Sequence, residues 1–310
     1  MGLLRQPLRH FLFTWVNWIN KVNILQHWQY FIEEIRNFFK EKGYIEVSTP
    51  VLLDFPNLDS NIEPIGVVVK ERGEERLKWL QTSPEYSMKK LLAKYKMDIF
   101  QIAKVFRNNE WGKIHRIEFH MLEWYAVGCD YKYLIEEIKQ LLRRLFPFNK
   151  FEVISAEEAF KRKFGERIPK NERDFKEFLK RKNIHFSEEE DWETLFYRAF
   201  IEVERELGKV NPTFLVDFPK ELSALAKIKG DYAERFELFI HGIEIANGWT
   251  EETNPEEVKN RLIKESEKRN LPLDKEFIEA HHYIPECAGC SIGLDRLFML
   301  YIGKKELITF

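Results

Sequence analysis

The strongest constraint on the fold is a short apolar segment that turns back on itself at His241 and Gly242. Hydrophobic and polar residues alternate on both sides of this two-residue turn, which is the pattern of an antiparallel hairpin. In such a hairpin Phe239 lies opposite Glu244, and Glu237 faces the same side. The opposite face then collects the aliphatic residues Leu238, Ile240, Ile243 and Ile245.

The two glutamates on one face of this hairpin predict a cation site. Diagonal neighbours across a hairpin lie roughly 7–8 Å apart at the backbone, so both side chains can converge on one hard cation. A divalent cation held by so few carboxylates usually serves a phosphate group. A solvated face that carries two glutamates by coincidence is the simpler interpretation of the segment taken alone.

Amphipathic helices and strand-like runs make up the rest of the chain. Apolar residues recur at three- and four-residue spacing over residues 23–42, which predicts a helix. Residues 99–107 and 117–127 are strand-like runs around a polar loop, and residues 130–210 are charged and helix-periodic. Helices that flank mostly antiparallel strands predict one α+β catalytic domain over residues 23–310, with a helical insertion at about 130–210.

Composition indicates the class of partner and the cellular compartment. A net charge of −2 gives no overall attraction to nucleic acid. Three cysteines cannot form a disulfide framework in a chain of 310 residues, so a reducing, cytoplasmic compartment is expected. No stretch approaches the length of a membrane span. We interpret residues 1–22 as an amphipathic leader helix.

A zinc site is the alternative use of two of these cysteines. Cys287 and Cys290 have the spacing of a ligand pair, and His281 and His282 precede them. No second cysteine pair completes the pattern, so the sequence favours zinc only weakly.

Basic residues around the polar loop predict a phosphate site. Arg107 ends the first strand-like run, His115 and Arg116 lie in the loop, and Arg296 opens the last helix after a glycine-containing segment. Guanidinium groups match phosphate oxygens bidentately, so two arginines and the hairpin cation could clamp a triphosphate. Phe119 could stack on a base. Taken singly, each arginine is more simply solvated and the phenylalanine more simply part of the core.

Three ordered motifs resemble those of a known enzyme class. GYIEVSTPVL, VFRNNEWGKIHRIEFHMLEWY and GCSIGLDRL are similar to motifs 1, 2 and 3 of the class II aminoacyl-tRNA synthetases. TSPEYSMKKLL and ERFELFIHGIEIANGWTEET resemble the lysyl branch, and IPECAGCSIGLDRLFML resembles the synthetase-related lysine ligases that modify elongation factor P. The resemblance implies a class II synthetase-like catalytic domain and a homodimer formed through motif 1.

The resemblance also implies roles for individual residues. Arg107 would bind the α-phosphate, Phe119 would stack on adenine, His115 and Arg296 would contact the outer phosphates, and Glu237 and Glu244 would hold magnesium. Catalysis would rest on Arg107, Arg296 and Glu244. The remaining residues of the implied ATP site are Asn108, Asn109, Arg116, Leu238 and Gly293.

The resemblance implies a second, amino-acid site, in which Glu85 would hold the α-amine and Glu251 the side-chain amine. The other residues of that site are Ser83, Pro84, Tyr125, Glu244, Asn247 and Ser291.

Three positions depart from the family pattern. Asn109 stands where the family has a glutamate, and Glu110 follows one place later. Arg116 replaces an asparagine, which adds positive charge near the phosphates. Ser291 stands where lysyl synthetases have glycine and the ligases have alanine, so the amino-acid pocket should be narrower.

The expected acceptor follows from the absence of an anticodon-reading domain. Such an OB-fold domain of on the order of 100 residues would precede the first motif, and the motif 1 helix begins near residue 23. We therefore expect ATP-dependent activation of lysine or β-lysine as an adenylate, with transfer to a lysine side chain of elongation factor P and no use of tRNA. The alternatives are an adenylate-forming enzyme with tRNA or a carrier protein as acceptor, and a non-catalytic regulatory paralogue.

Overall fold

The first predicted helix is confirmed and is capped at both ends. The structure is a computed structural model that describes residues 23–308, so the predicted leader helix lies outside the described residues. Helix α1 (Ile24–Glu41) begins after Asn23, whose side chain accepts a hydrogen bond from the Leu25 N–H at 3.0 Å. Gly43 follows the helix with a φ of +87°, a conformation that glycine adopts without steric cost.

The remaining elements follow in chain order. The strands are β1 (Ile45–Glu46), β2 (Leu52–Leu53), β3 (Ile65–Glu71), β4 (Glu74–Leu80), β5 (Ile99–Phe106), β6 (Glu118–Val127), β7 (Glu152–Ser155), β8 (Thr213–Pro219), β9 (Ile228–Lys229), β10 (Tyr232–Ile240), β11 (Ile243–Thr250) and β12 (Cys287–Gly293). The helices are α2 (Glu85–Tyr95), α3 (Tyr131–Leu145), α4 (Ala156–Phe164), α5 (Glu172–Arg181), α6 (Trp192–Glu204), α7 (Pro255–Arg269), α8 (Lys275–Ala280) and α9 (Leu294–Tyr301).

A mixed nine-stranded sheet organises the domain. Its strand order is β1-β5-β6-β12-β11-β10-β8-β7, with β9 paired to β10. The six strands from β5 to β8 in this order pair antiparallel, and only the terminal pairs β1–β5 and β8–β7 are parallel. The predicted α+β class with a mostly antiparallel sheet is confirmed. A separate antiparallel sheet has the order β2-β4-β3.

The main core covers one face of the large sheet. Helices α1, α3 and α9 pack their apolar sides there, around the fully buried Phe31, Phe39 and Trp124. Between α3 and β8, helices α4 to α6 form a second core with Phe160, Phe196 and neighbouring aromatics. Between residues 23 and 308 no helix combines the length and apolar character needed to cross a bilayer.

The segment around motif 1 forms less strand than its composition predicts. The run YIEVSTPVLL contributes only β1 and β2, which have two residues each and lie in different sheets. Pro50 separates them and cannot donate to a strand ladder, so one continuous strand is disfavoured. Ile45, Val51 and Leu52 remain exposed along this edge.

Candidate active site

The candidate site lies on the sheet face opposite the main core. Strand register places four polar residues side by side on adjacent strands, in the order Glu123, Ser291, Asn247 and Glu237. The next row on this face contains Tyr125, Gly289, Trp249 and Arg235. Residues between the two rows, such as Trp124 and Phe236, point into the core. Side chains alternate along a strand, so antiparallel pairing collects these polar groups on one face.

The predicted hairpin is confirmed, and a β-bulge enlarges its functional face. His241 and Gly242 form the two-residue turn with φ values of 54° and 73°, and Phe239 pairs with Glu244. The register then shifts, because Leu238 pairs with Ala246 and Ile245 is left over. This extra residue reverses the alternation along β11. As a result Glu244 and Asn247 face the same side, and the aliphatic residues of the hairpin pack in the main core.

The outer part of the cavity is lined by basic side chains. The predicted catalytic, ATP-site and metal residues that line it are Arg107, His115, Arg116, Phe119, Glu237, Glu244, Gly293 and Arg296. Arg296 donates to the carbonyl oxygens of Ile114 and Glu244, both at 3.1 Å. Arg107 donates to the Thr82 carbonyl at 3.3 Å, and its guanidinium lies 5.2 Å from the Phe119 ring centroid. Bonds to neutral carbonyls help to fix these guanidinium groups, and Arg107 also lies 3.7 Å from a carboxylate oxygen of Glu110.

Burial and mutual repulsion disfavour the charged forms of the carboxylates in the outer cavity. Burial raises the pKa of Glu237 to about 8 although Arg235 lies 2.6 Å from its Oε1 atom, and Glu244 adds repulsion. Glu204, at the end of α6, lines the same space, and burial and Glu244 raise its pKa to about 7. Burial and the charge of Arg296 lower the pKa of His115, which favours its neutral form.

The inner part of the cavity is acidic. Six predicted amino-acid-site residues line it, namely Ser83, Glu85, Tyr125, Asn247, Glu251 and Ser291. Glu123 lines it as well and accepts hydrogen bonds from the Ser83 hydroxyl at 2.6 Å and the Tyr125 hydroxyl at 2.7 Å. Burial and the neighbouring Glu85 raise the pKa of Glu123 to about 8. Asn247, Arg107 and Ser291 line both parts, so the two spaces are continuous.

Glu251 lines this acidic space and has one carboxylate oxygen without a hydrogen-bond partner. Its Oε2 atom accepts from Lys89 at 2.7 Å and from the Trp249 indole at 2.9 Å, whereas Oε1 is buried without a hydrogen-bond partner. A side chain at Gly289 would collide with the Tyr125 ring and would lie 2.7 Å from Glu251 Oε1. The absence of a side chain at Gly289 therefore leaves room for the Tyr125 ring and the Glu251 carboxylate.

Four predicted residues lie outside the cavity lining. The Leu238 side chain is fully buried in the main core, so only its backbone can face the site. Pro84 precedes α2 and is absent from the lining of either part. Asn108 and Asn109 both donate to the carboxylate of Glu63. Asn109 adopts a left-handed φ of 60°, and the next residue, Glu110, lines the outer cavity instead.

Sequence reasoning missed Glu123, Arg235 and Trp249. Arg235 lines both parts of the cavity and donates to Glu237 at 2.6 Å and to Asn247 at 3.2 Å. Each missed residue stands two places from a predicted one on the same strand. Period-two alternation was therefore the signal that could have identified all three.

The two cysteines of the zinc hypothesis occupy different environments. Cys287 packs with Met88 and Tyr125, whereas Cys290 packs in the main core. Their three-residue spacing on β12 places them on opposite faces of the strand. Across the described chain, residues 23–308, no three histidine, cysteine or acidic side chains converge as metal ligands.

Comparison with known proteins identifies the family. The model of tRNA synthetases class II (D, K and N) matches residues 14–310. An elongation factor P--(R)-beta-lysine ligase homolog from Aquifex aeolicus is 72% identical over 93% of this chain and 98% of its own length. Elongation factor P--(R)-beta-lysine ligases from Buchnera aphidicola and Avibacterium paragallinarum are 38% and 36% identical, covering 89% and 90% of this chain and 90% and 92% of their own lengths. The chain therefore belongs to the class II tRNA synthetases of the D, K and N type.

Proposed function

We propose that the protein uses ATP to activate lysine or β-lysine as an aminoacyl-adenylate and transfers it to a lysine side chain of elongation factor P. The observation that carries this proposal is the buried, unpaired Oε1 atom of Glu251 in an acidic cavity. A buried carboxylate oxygen without a donor is costly, and a ligand ammonium would satisfy it. Glu85 and Glu123 provide further acceptors, so a ligand with two amines fits the space.

The outer cavity is suited to the phosphates and base of ATP. Arg107 would bind the α-phosphate where the outer and inner parts of the cavity meet, and Arg296 would bind the outer phosphates. Phe119 would stack on the base while Arg107 lies against its ring. Both guanidinium groups are already positioned by backbone carbonyls, so binding requires little reorganisation.

Glu237 and Glu244 fit a magnesium ion that arrives with ATP. Both carboxylates line the outer cavity, and Glu244 contributes to the raised pKa of Glu237, as expected of a site with excess negative charge. Mg²⁺ is commonly held by one or two carboxylates together with substrate phosphates. When bound, the ion would neutralise charge on the phosphate oxygens.

The proposed reaction has two steps. A carboxylate oxygen of the amino acid attacks the α-phosphorus of ATP, the bond to the β-phosphate oxygen breaks, and pyrophosphate leaves. The deprotonated amine of the acceptor lysine then attacks the carbonyl carbon, and AMP leaves. Arg107 lines both spaces, where it would stabilise charge that develops on the α-phosphate. The acceptor is proposed from the names of the relatives, each of which is a ligase, or ligase homolog, for elongation factor P.

Two assays test this proposal. Pyrophosphate exchange should be supported by α-lysine or β-lysine and not by norleucine, which lacks the side-chain amine. Intact-mass analysis after incubation with ATP, magnesium and either amino acid should then show one added aminoacyl group on elongation factor P. Charging of tRNA with no mass gain on elongation factor P would overturn the acceptor. Absence of exchange with either diamino acid would overturn the substrate class.

We also propose that the protein is a homodimer that acts in the cytoplasm. The support for the dimer is the exposed apolar edge of Ile45, Val51 and Leu52 within the segment that resembles motif 1. The support for the compartment is that all three cysteines are free thiols in the described part of the chain.

A further inference from the structure

A buried lysine lies directly behind the amino-acid site. The Lys89 side chain is fully buried, and its ammonium lies 2.5 Å from Glu85 Oε1 and 2.7 Å from Glu251 Oε2. Glu85 is one helical turn before Lys89 on α2, whereas Glu251 follows β11. One ammonium therefore connects the two carboxylates to which the family resemblance assigns the two substrate amines.

The surroundings of Lys89 contain charged and aromatic groups from several elements. The ammonium lies 5.9 Å from the Tyr125 ring centroid and 5.7 Å from the Trp249 ring centroid. The titratable groups that interact with Lys89 or its two carboxylate partners are Asp59, Glu85, Tyr86, Glu123, Tyr125, Glu251, His281 and Cys287. Burial lowers the pKa of His281 to about 4, so this neighbour is neutral and does not substitute for the lysine charge.

We propose that Lys89 is a positioning residue that gives the site its specificity for an amino acid with two ammonium groups. The inference rests on the proposed function and assigns it a residue that does not itself line the cavity. Lys89 holds one oxygen of Glu251, so that the other is directed toward the ligand. It also neutralises one of three buried carboxylates, Glu85, Glu123 and Glu251, which leaves two negative charges when all are ionised.

Charge balance explains why a lysine is suited to this position. Three buried carboxylates without a cation would take up protons, because isolated buried charge is strongly disfavoured. A protonated carboxyl group binds an ammonium weakly. With Lys89 present, burial still raises the pKa of Glu85, but Lys89 opposes the rise and limits it to about 7. The lysine therefore keeps Glu85 and Glu251 more ionised near neutral pH than they would be without it.

The test replaces Lys89 with methionine, which has similar length and no charge. We expect Lys89→Met to raise KM for lysine or β-lysine about tenfold to a hundredfold in pyrophosphate exchange, and to leave KM for ATP within about twofold. KM for lysine in this variant should keep falling at higher pH than in the wild type, because loss of the ammonium raises the pKa of Glu85 and Glu251 further. Lys89→Arg should restore part of the affinity and the pH profile of the wild type.

Lys90→Met is the matched control on the same helix. Lys90 pairs with Asp274 at 2.8 Å and points away from the cavity, so its substitution should leave both KM values and the pH profile unchanged. If Lys89→Met does not fold, the double variant Lys89→Met/Glu85→Gln removes the charges as a pair. It should fold, because the excess of buried negative charge is the same as in the wild type, and its KM for lysine should rise because Glu85 is proposed to hold the α-amine.

The outcomes separate this inference from the proposed function. Wild-type exchange with diamino acids, together with an unchanged KM and pH profile in Lys89→Met, would overturn the role of Lys89 alone. Equal losses for ATP and amino acid in folded variants, without rescue by arginine, would also overturn it. The charge argument would be contradicted if the double variant failed to fold. It would also be contradicted if the wild-type protein exchanged pyrophosphate with norleucine as well as with lysine.

Discussion

At the scale of the residue, the two carboxylate oxygens of Glu251 have different roles. One oxygen compensates a buried lysine, and the other is left without a donor in the cavity. The carboxylate cannot turn without losing the contacts with Lys89 and Trp249. Its free oxygen is therefore preorganised for a ligand, at the cost of an unsatisfied acceptor in the unliganded protein.

The charge of Glu251 can be tested with a substitution that preserves its shape. We expect Glu251→Gln to weaken lysine binding by about 2 kcal/mol, because a charge-assisted hydrogen bond becomes a neutral one. The Kd of ATP should change by less than about twofold. Calorimetric titration of each ligand separately measures the two Kd values. Equal weakening of ATP and lysine would show that Glu251 does not select the amino acid.

The buried carboxylates also predict how stability depends on pH. The pKa of Glu123 is raised to about 8 and that of Glu85 to about 7, from an ordinary value of 4.5. Between pH 4.5 and pH 8 the folded protein therefore binds more protons at these groups than the unfolded chain. Their contribution to the free energy of unfolding should fall as pH rises through this window. Thermal unfolding without ligand should show the decline, and Glu123→Gln should reduce it. An unchanged slope in the variant would contradict the burial argument.

At the scale of the element, the β10–β11 hairpin shows what the sequence could and could not predict. Alternation and the turn residues predict the pairing of Phe239 with Glu244, which is confirmed. The bulge was not predictable, because Ile245 is as suited to a regular strand as to a bulge and its placement depends on the neighbouring strands. The bulge nevertheless brings Asn247 and Trp249 to the face of Glu244.

This hairpin is proposed to contribute the magnesium ligands. Glu244→Gln should reduce pyrophosphate exchange by at least about a hundredfold, since a neutral amide cannot balance the charge of the ion. The substitution leaves no cavity, so the unfolding temperature should remain close to that of the wild type. Exchange near the wild-type rate in a folded variant would contradict the cation site that the hairpin predicts.

Strand β12 carries two small residues whose substitutions should act in opposite directions. Ser291→Gly should widen the boundary between the two spaces and improve use of α-lysine relative to β-lysine. Gly289→Ala should reduce the use of both, because the added methyl group would meet Tyr125 and Glu251. Competition between the two amino acids in one exchange assay measures both effects. An unchanged ratio in Ser291→Gly would show that this side chain does not select between the isomers.

At the scale of the whole molecule, the exposed edge near motif 1 predicts self-association. The wild type should elute as a dimer in size-exclusion chromatography with light scattering. Leu52→Glu should shift it toward the monomer, because the exposed leucine would become a buried charge at the interface. Val68→Glu is a control on β3, at the opposite edge of the three-stranded sheet that contains Leu52, where the valine is 68% exposed. A wild-type monomer at micromolar concentration would contradict the proposed interface.

The overall architecture was more predictable than the chemistry of its buried polar groups. Helix periodicity and strand composition indicate the α+β class because they are repeated local signals, and the three ordered motifs indicate the fold through the family resemblance. Lys89 carries no comparable signal, because a lysine at helical spacing from a glutamate usually forms a surface ion pair. Only the packing of α2 against the end of β11 buries it beside a second carboxylate.

The position of β12 in the large sheet has a consequence for the biosynthesis of the protein. This strand lies between β6 and β11, so it joins the half of the site that carries Arg107 to the half that carries Glu244. It is also the last strand of that sheet to be translated. Translation that stops before residue 287 would leave two unpaired strand edges and a divided site. A nascent chain should therefore be unable to consume ATP until its central strand has left the ribosome.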